Sequence, residues 1–309
     1  MTKKRSSGKR LNVSYFTLRR KKDNRDGILF ILPAAVFFLI FIGIPMMMAF
    51  GLIFLNYNLL TPPKWNGLAN VRRLLIDPQF LKSLGNTFKF FATLTPIHCI
   101  LALGLAYIVS EVRNRTLRSI YRSLIYFPTI VTTASVAIVW VYMFATDTGF
   151  INFYLRRLGL GNIPWMTDPV MIYVTIAIFS AWKFIGITFL YYFVGIQNIP
   201  AAYHEAAYID GAGRFSIFFK ITLPLLSPTI FFVFVTNMIG VFQIFDEPFF
   251  IAGDNPAARS LALHVYRNAF DNIRIGYASV LAVIMFIIIM MITGIQFIVQ
   301  KRWVNYDYE

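Results

Sequence analysis

Residues 27–63 contain no charged side chain, four further stretches repeat that pattern, and a fifth is broken by a single lysine. A bilayer crossing takes about 20 apolar residues, so each run of this kind is long enough to span one. The first span is Ile28 to Leu55. Residues 90–110 lie between Lys89 and Glu111, 123–146 between Arg122 and Asp147, and 170–197 carry only Lys183. Residues 221–245 and 275–300 complete six. Composition agrees: 58% of residues are hydrophobic and 14% charged, against about 25% charged in an average globular domain. The sequence therefore predicts an all-α integral membrane protein with six transmembrane helices.

Six crossings put both ends of the chain on one side, and lysine and arginine choose which. The arm 1–26, the loop 111–122, the loop 198–224 and the tail 301–309 hold eighteen Lys and Arg, against nine on the opposite loops, among them Lys64, Arg72, Arg73, Arg259, Arg267 and Arg274. Both termini are thus expected in the cytoplasm. The first span is too long for a cleaved leader and has no small-residue cleavage site, so it reads as a retained anchor. The basic arm 1–26 reads as a topology determinant that touches anionic membrane lipid. Residues 27–300 form the transmembrane domain. The net charge of +15 is not organised into any groove-reading or base-stacking motif, so a nucleic-acid partner is excluded.

Catalytic chemistry finds few candidates. Cys99 is the one cysteine and lies in an apolar run, and His98, His204 and His264 have no metal-ligand spacing. No Asp or Glu falls within the six spans as bounded above, which disfavours an ion-coupled secondary transporter. No Gly-x4-Gly-Lys-[Ser/Thr] phosphate loop occurs, so ATP is not bound by that route. The chain is expected to be neither an enzyme nor a metal or cofactor binder.

The polar chemistry concentrates in residues 198–224. Pro200 suits a helix start, and Ala201, Ala202, Glu205, Ala206 and Ala207 favour a helix. Gly211 and Gly213 break it with a sharp turn. A second amphipathic segment follows with Phe215, Phe218, Phe219 and Ile221 on its apolar side, and Pro224 closes it. The product is a compact knob at the membrane surface that shows the carboxylates of Glu205 and Asp210.

Glu205-Ala206-Ala207, Asp210-Gly211-Ala212 and Ile221-x-Leu223-Pro224 at this spacing resemble the signature loop of permease subunits of bacterial ABC importers, in the maltose-type and glycerol-phosphate-type branch. Leu68-Ala69-Asn70, Asp77-Pro78, Asn86-Thr87, residues 195–200, 242–246 and 276–279 are similar too, so the resemblance covers nearly everything after residue 27. Residues 251–256 depart from the family's glycine-rich run. The resemblance implies a type I ABC importer permease fold in a bacterial inner or plasma membrane. It implies a separate cytoplasmic ATPase dimer that uses ATP and Mg, a second related permease, an extracytoplasmic solute-binding protein and a carbohydrate cargo, with glycerol phosphate or another polyol as the alternative. Glu205, Ala206, Ala207, Asp210, Gly211, Ala212, Leu223 and Pro224 would then form the coupling element, Glu205 meeting a basic residue of the ATPase.

Polar or aromatic groups within a span are candidates for the pathway. Lys183 is the one charge well inside a span. Thr236, Gly240 and Gln243 share a helical face with Asn237 beside them. Trp182 and Tyr191 could stack on sugar rings. Asn237, Gln243, Lys183, Trp182 and Tyr191 are the expected pathway set.

Overall fold

The computed structural model describes residues 27–304; the basic arm 1–26 and the last residues of the tail lie outside it. Two units are distinguished, divided after Leu52. The first is a helix, α1 (Gly27–Leu52), 26 residues long. At 1.5 Å per residue that is about 39 Å, enough to cross a bilayer. It carries one wide turn, Leu39–Gly43, and ends three residues before the expected Leu55.

The second unit begins with a two-residue antiparallel ribbon, β1 (Leu55–Asn56) and β2 (Lys64–Trp65). Then come α2 (Ala69–Ile76), α3 (Pro78–Ser110), α4 (Arg115–Ile130), α5 (Thr133–Met143), α6 (Phe150–Arg157) and α7 (Met171–Gln197). They are followed by α8 (Ala201–Ile209), α9 (Arg214–Ile217), α10 (Ser227–Phe242), α11 (Asp246–Phe250), α12 (Leu261–Tyr266) and α13 (Ile275–Val299). Five helical segments are long and apolar enough to cross a membrane, and α4 with α5, bent by 92°, makes a sixth crossing when the pair is one span.

The second and third spans depart most from the sequence expectation. The second starts at Pro78, not residue 90, because Asp77 caps it by accepting the Gln79 N–H at 2.9 Å. Lys82 and Lys89 are tolerated on its exposed side. The third, expected as one helix over 123–146, is broken at Val131. Val131 and Thr132 take extended backbone, at ψ 145° and 135°, so the helical ladder ends there, with Pro128, which has no N–H to give, in the last turn before it.

α3, α7 and α10 form the core, with α4 laid along α7. Small residues allow the close approach. Ala102 and Ala106, one turn apart on α3, are fully buried beside Phe189, Tyr192 and Phe193 of α7. Membrane helices gain little from the hydrophobic effect, so such small-against-large packing carries their association. The tightest approach is at Gly186, where an added Cβ would lie 2.6 Å from Thr129 Oγ1, 2.7 Å from the Ile125 carbonyl and 2.9 Å from Tyr126 Cα. Two of those atoms are backbone and cannot step aside. Gly186→Ala is expected to destabilise the α4–α7 packing by about 1–3 kcal/mol. Thermal unfolding in detergent checks this; an unchanged midpoint would show that the helices part freely.

The motif residues outside the knob also acquire physical roles. Asn70 donates to the carbonyls of Ile53 and Leu55, both at 2.9 Å. Asn86 donates to those of Pro256 and Arg259, both at 3.1 Å, and accepts from the Tyr173 hydroxyl at 2.7 Å. Thr87 Oγ1 accepts the Leu261 N–H at 2.8 Å. Each amide or hydroxyl pins an outer segment to a helix.

Candidate functional site: a surface knob and an intramembrane cleft

The knob forms as the glycine spacing requires, with one difference. α8 ends at Ile209, and Gly211 turns the chain at φ 78°. The Gly211 N–H donates to the Tyr208 carbonyl at 3.1 Å and the Ala212 N–H to the Ala207 carbonyl at 2.9 Å. This paired closure satisfies the last carbonyls of a helix and needs a left-handed residue, for which glycine is suited. Gly213 sits at φ −73° and needs no such freedom. The sequence reading gave both glycines the same task; Gly211 alone performs it.

Ala207 is the buried face of α8. Glu205, Ala206 and Asp210 are exposed, and so is Ile209, at 86%. The knob therefore presents carboxylates, a methyl and a bare isoleucine together. His204 Nε2 lies 3.3 Å from Thr222 Oγ1 and ties the first helix to the returning segment. The expected apolar stripe is corrected: Phe215 and Phe219 are exposed, Phe215 at 84%, while Ile217 and Thr222 face inward. The wide turn at Phe218–Thr222 rotates the helix phase and so separates the four residues. Leu223 and Pro224 occupy the half-buried turn that leads into α10.

The second site is a cleft of about 440 Å³ between α7 and α10, closed at one end by α11. Its lining includes Tyr191, Asn237 and Gln243 of the expected set, with Thr236 and Gly240 from the same face. Their convergence follows from the i, i+4, i+7 spacing on α10. Lys183 and Trp182 are not in that lining. Lys183 is 2% exposed and donates to the carbonyls of Pro128 at 2.8 Å, Thr129 at 3.1 Å and Val131. Its charge is held by the broken end of α4. Trp182 packs in an aromatic cluster with Trp140 and Phe179.

Sequence reasoning missed His98, Ser180 and Glu247, which complete the cleft. The expectation of no carboxylate within a span is corrected, because the fifth apolar segment runs Ser227–Phe250. The chain turns at Gln243–Phe245 and continues inward, so Glu247 is 4% exposed. Asn237 and His98 meet at 3.2 Å, His98 and Ser180 at 3.3 Å, and the Ser180 hydroxyl donates to Glu247 Oε1 at 3.3 Å. One proton arrangement satisfies all three. The Asn237 amide donates to His98 Nδ1, Nε2–H donates to Ser180, and Ser180 donates to the carboxylate. Asn237 Oδ1 is left buried and without a partner. An acceptor in that state favours a ligand that brings hydroxyl or amide hydrogens.

A core of apolar, membrane-length helices with a polar cleft inside it and a glycine-hinged surface knob is the build of a membrane transport subunit. The chain belongs to the family of binding-protein-dependent transport system inner membrane components, whose model matches residues 100–305. It is 37% identical over 294 residues to the probable ABC transporter permease protein YesP of Bacillus subtilis (strain 168), covering 93% of this chain and 94% of that one. It is 30% identical over 293 residues to the lactose transport system permease protein LacF of Rhizobium radiobacter, covering 92% and 97%. A bacterial ABC transporter involved in the import of the acidic polysaccharide alginate has the same fold, with TM-score 0.80 and 24% identity, covering 93% of this chain and 100% of that one. Another structure of a bacterial alginate ABC transporter, in complex with an alginate pentasaccharide-bound periplasmic protein, gives TM-score 0.76 and 24% identity over 89% and 94%. The family is one of transport components, not catalysts.

Proposed function

We propose that this chain is one of two permease subunits of an ATP-driven, binding-protein-dependent importer of sugars or oligosaccharides. The observation that carries the reading is the knob: exposed Glu205, Ala206, Asp210 and Ile209 stand on a helix whose end is fixed by Gly211. A rigid, charged, shape-defined projection is suited to transmit force from a soluble ATPase dimer, which would supply ATP and Mg chemistry. Glu205 pairs with a basic residue of that ATPase, and Ala206, Ala207 and Ala212 permit close approach. The termini lie with the knob on the cytoplasmic side of a bacterial inner or plasma membrane, as the eighteen-to-nine split of Lys and Arg favours.

A carbohydrate cargo is supported by the cleft, where Asn237, Gln243 and Tyr191 offer amides and an aromatic face near the acceptor of Asn237. Glycerol phosphate is the second reading. It is less well matched, because the acidic Asp246 and Glu247 line the cleft while Lys183, the buried base of α7, is held by carbonyls.

ATP hydrolysis by the reconstituted complex, with its partner permease, ATPase and solute-binding protein, tests the proposal across a panel of sugars. One sugar is expected to stimulate hydrolysis, and Glu205→Lys is expected to abolish that stimulation by opposing a basic partner. Hydrolysis indifferent to every sugar would overturn the cargo class. Stimulation that survives Glu205→Lys would overturn the coupling role.

A further inference from the structure

The halves of α3, α7 and α10 nearest the knob do not close on one another. A groove of about 490 Å³ runs between them, lined by Cys99, Ile100 and Leu103 of α3, Tyr192 of α7, Ile230 of α10 and Trp303. No charged side chain enters the lining, and the cargo cleft shares none of these residues. The transport reading leaves the groove without a task.

Local sequence shapes it. Phe231, the neighbour of Ile230, is drawn toward α13, where its ring meets Phe297 edge-on at 5.2 Å and Trp303 at 6.2 Å. A short tight turn, Gln300–Arg302, follows α13. The Trp303 N–H then donates to the Gln300 carbonyl at 3.1 Å, which sets the indole against the end of the groove. Tyr192 is buried and forms the floor. The Ser227 hydroxyl in the lining donates to the Pro224 carbonyl at 2.7 Å.

The groove has the depth of one membrane leaflet. Leu223, where the knob returns toward α10, and Trp303, just past the end of α13, form its shallow end. Cys99 forms its deep end, eleven residues before α3 finishes at Ser110, or about 16 Å at the helical rise. Half of a bilayer's hydrocarbon core is about 15 Å. An empty apolar groove at that depth forfeits the contacts of its open side, and a hydrocarbon chain lying along α3 restores them.

The shallow end is basic. Lys301 and Arg302 directly precede Trp303, and Lys220 stands three residues before Leu223; all three are exposed. Among the described residues, no hydrogen bond or ion pair engages any of them. Cations beside an interfacial indole are suited to an acidic lipid head group.

We propose that the groove is a binding site for an acidic phospholipid such as phosphatidylglycerol. One acyl chain lies between α3 and α10, and the phosphodiester meets Lys220, Lys301 and Arg302. The cations select against a neutral lipid, and the deep apolar lining selects against a free anion. The inference rests on the transport reading only for which leaflet supplies the lipid and for the partners used in its test.

The test uses the transporter assembled with its partner permease and ATPase, stripped of lipid in detergent. It is titrated with an equimolar mixture of phosphatidylglycerol and phosphatidylcholine, and bound lipid is counted by native mass spectrometry. Phosphatidylglycerol is expected to be retained about tenfold over phosphatidylcholine. Lys220→Gln with Lys301→Gln and Arg302→Gln is expected to cut that preference to about twofold. Arg113→Gln with Arg115→Gln and Arg122→Gln removes the same charge from the neighbouring 111–122 segment and is expected to leave the preference unchanged. Ile100→Trp fills the groove and keeps every charge, at a position 69% exposed and so tolerant of size. It is expected to lower phosphatidylglycerol retention about fivefold at an unchanged thermal unfolding midpoint. Equal loss with both charge triples would overturn the proposal in favour of diffuse attraction. Undiminished retention by Ile100→Trp would overturn the groove as the seat of the lipid. A preference shown by the isolated chain but lost in the assembled complex would overturn it too, by giving the groove to the partner permease. Sugar-stimulated ATP hydrolysis reads the transport function separately, so either idea can fail alone.

Discussion

Lys183→Met is expected to destabilise the protein by about 3–5 kcal/mol, the largest effect of any single substitution considered. The ammonium is buried and binds the carbonyls of Pro128, Thr129 and Val131, which the broken helix leaves without intrahelical donors. Replacement by methionine preserves length and apolar volume but supplies no donor. Three carbonyls would then be unsatisfied where no water is available, and each such group is costly in a membrane. The partial negative charge at the end of α4 is also left without its cation. Thermal unfolding in detergent is the measurement, with Thr129→Val as a companion. That variant removes only the hydroxyl that donates to the Lys183 carbonyl at 3.0 Å and is expected to cost about 1 kcal/mol. A Lys183→Met protein as stable as the parent would mean that the break between α4 and α5 finds other donors and that the lysine serves the cargo after all.

Gly211→Val is expected to abolish transport while leaving the transmembrane core folded. An added Cβ at Gly211 meets nothing within 4 Å, so the effect is not steric crowding. It comes from φ 78°, where an L-residue costs about 1–2 kcal/mol and a β-branched one more. The knob is a surface element, so the chain relieves this strain by opening the turn. That loses the two closing hydrogen bonds and reorients Glu205. Gly211→Asn is expected to keep most coupling, since asparagine tolerates the left-handed region. Gly213→Ala, at φ −73°, is expected to be nearly silent. The ratio of sugar transported to ATP hydrolysed in proteoliposomes separates these cases. If Gly211→Asn fails as completely as Gly211→Val, direct contact with the ATPase, not turn geometry, is what the glycine provides.

The two predictions also mark where sequence reading reached and where it stopped. Gly211 is legible because its requirement is local: a helix former run, a glycine and a second helix leave few backbone routes between them. The six apolar spans are legible for the same kind of reason, since hydrocarbon selects by composition and length alone. Asn237 and Gln243 reach the cleft because helical periodicity fixes which face of α10 they share, whereas Tyr191 stands on α7 and meets them through the packing of the two helices.

Lys183 was not legible. A charge in an apolar run signals that a partner exists, but the partner lies 52 to 55 residues away along the chain. It consists of carbonyls left open by the break at Val131, a break that the apolar pattern of 123–146 conceals. Glu247 was hidden by a boundary. Asp246 ends the charge-free run, and only the inward turn at Gln243–Phe245 carries the next residue back into the core. His98 and Ser180 carry no signal until α3, α7 and α11 bring them together across 82 and 67 residues.

The sequence by itself determined that this chain lives in a membrane, how many apolar spans it carries, and where a glycine-turned knob interrupts them, because lipid solvation and backbone conformation act on neighbouring residues. The tertiary structure decided which polar groups inside the membrane are free for a ligand and which are committed to the fold. That depends on pairing between distant helices, where an unsatisfied donor or acceptor is too costly to leave alone.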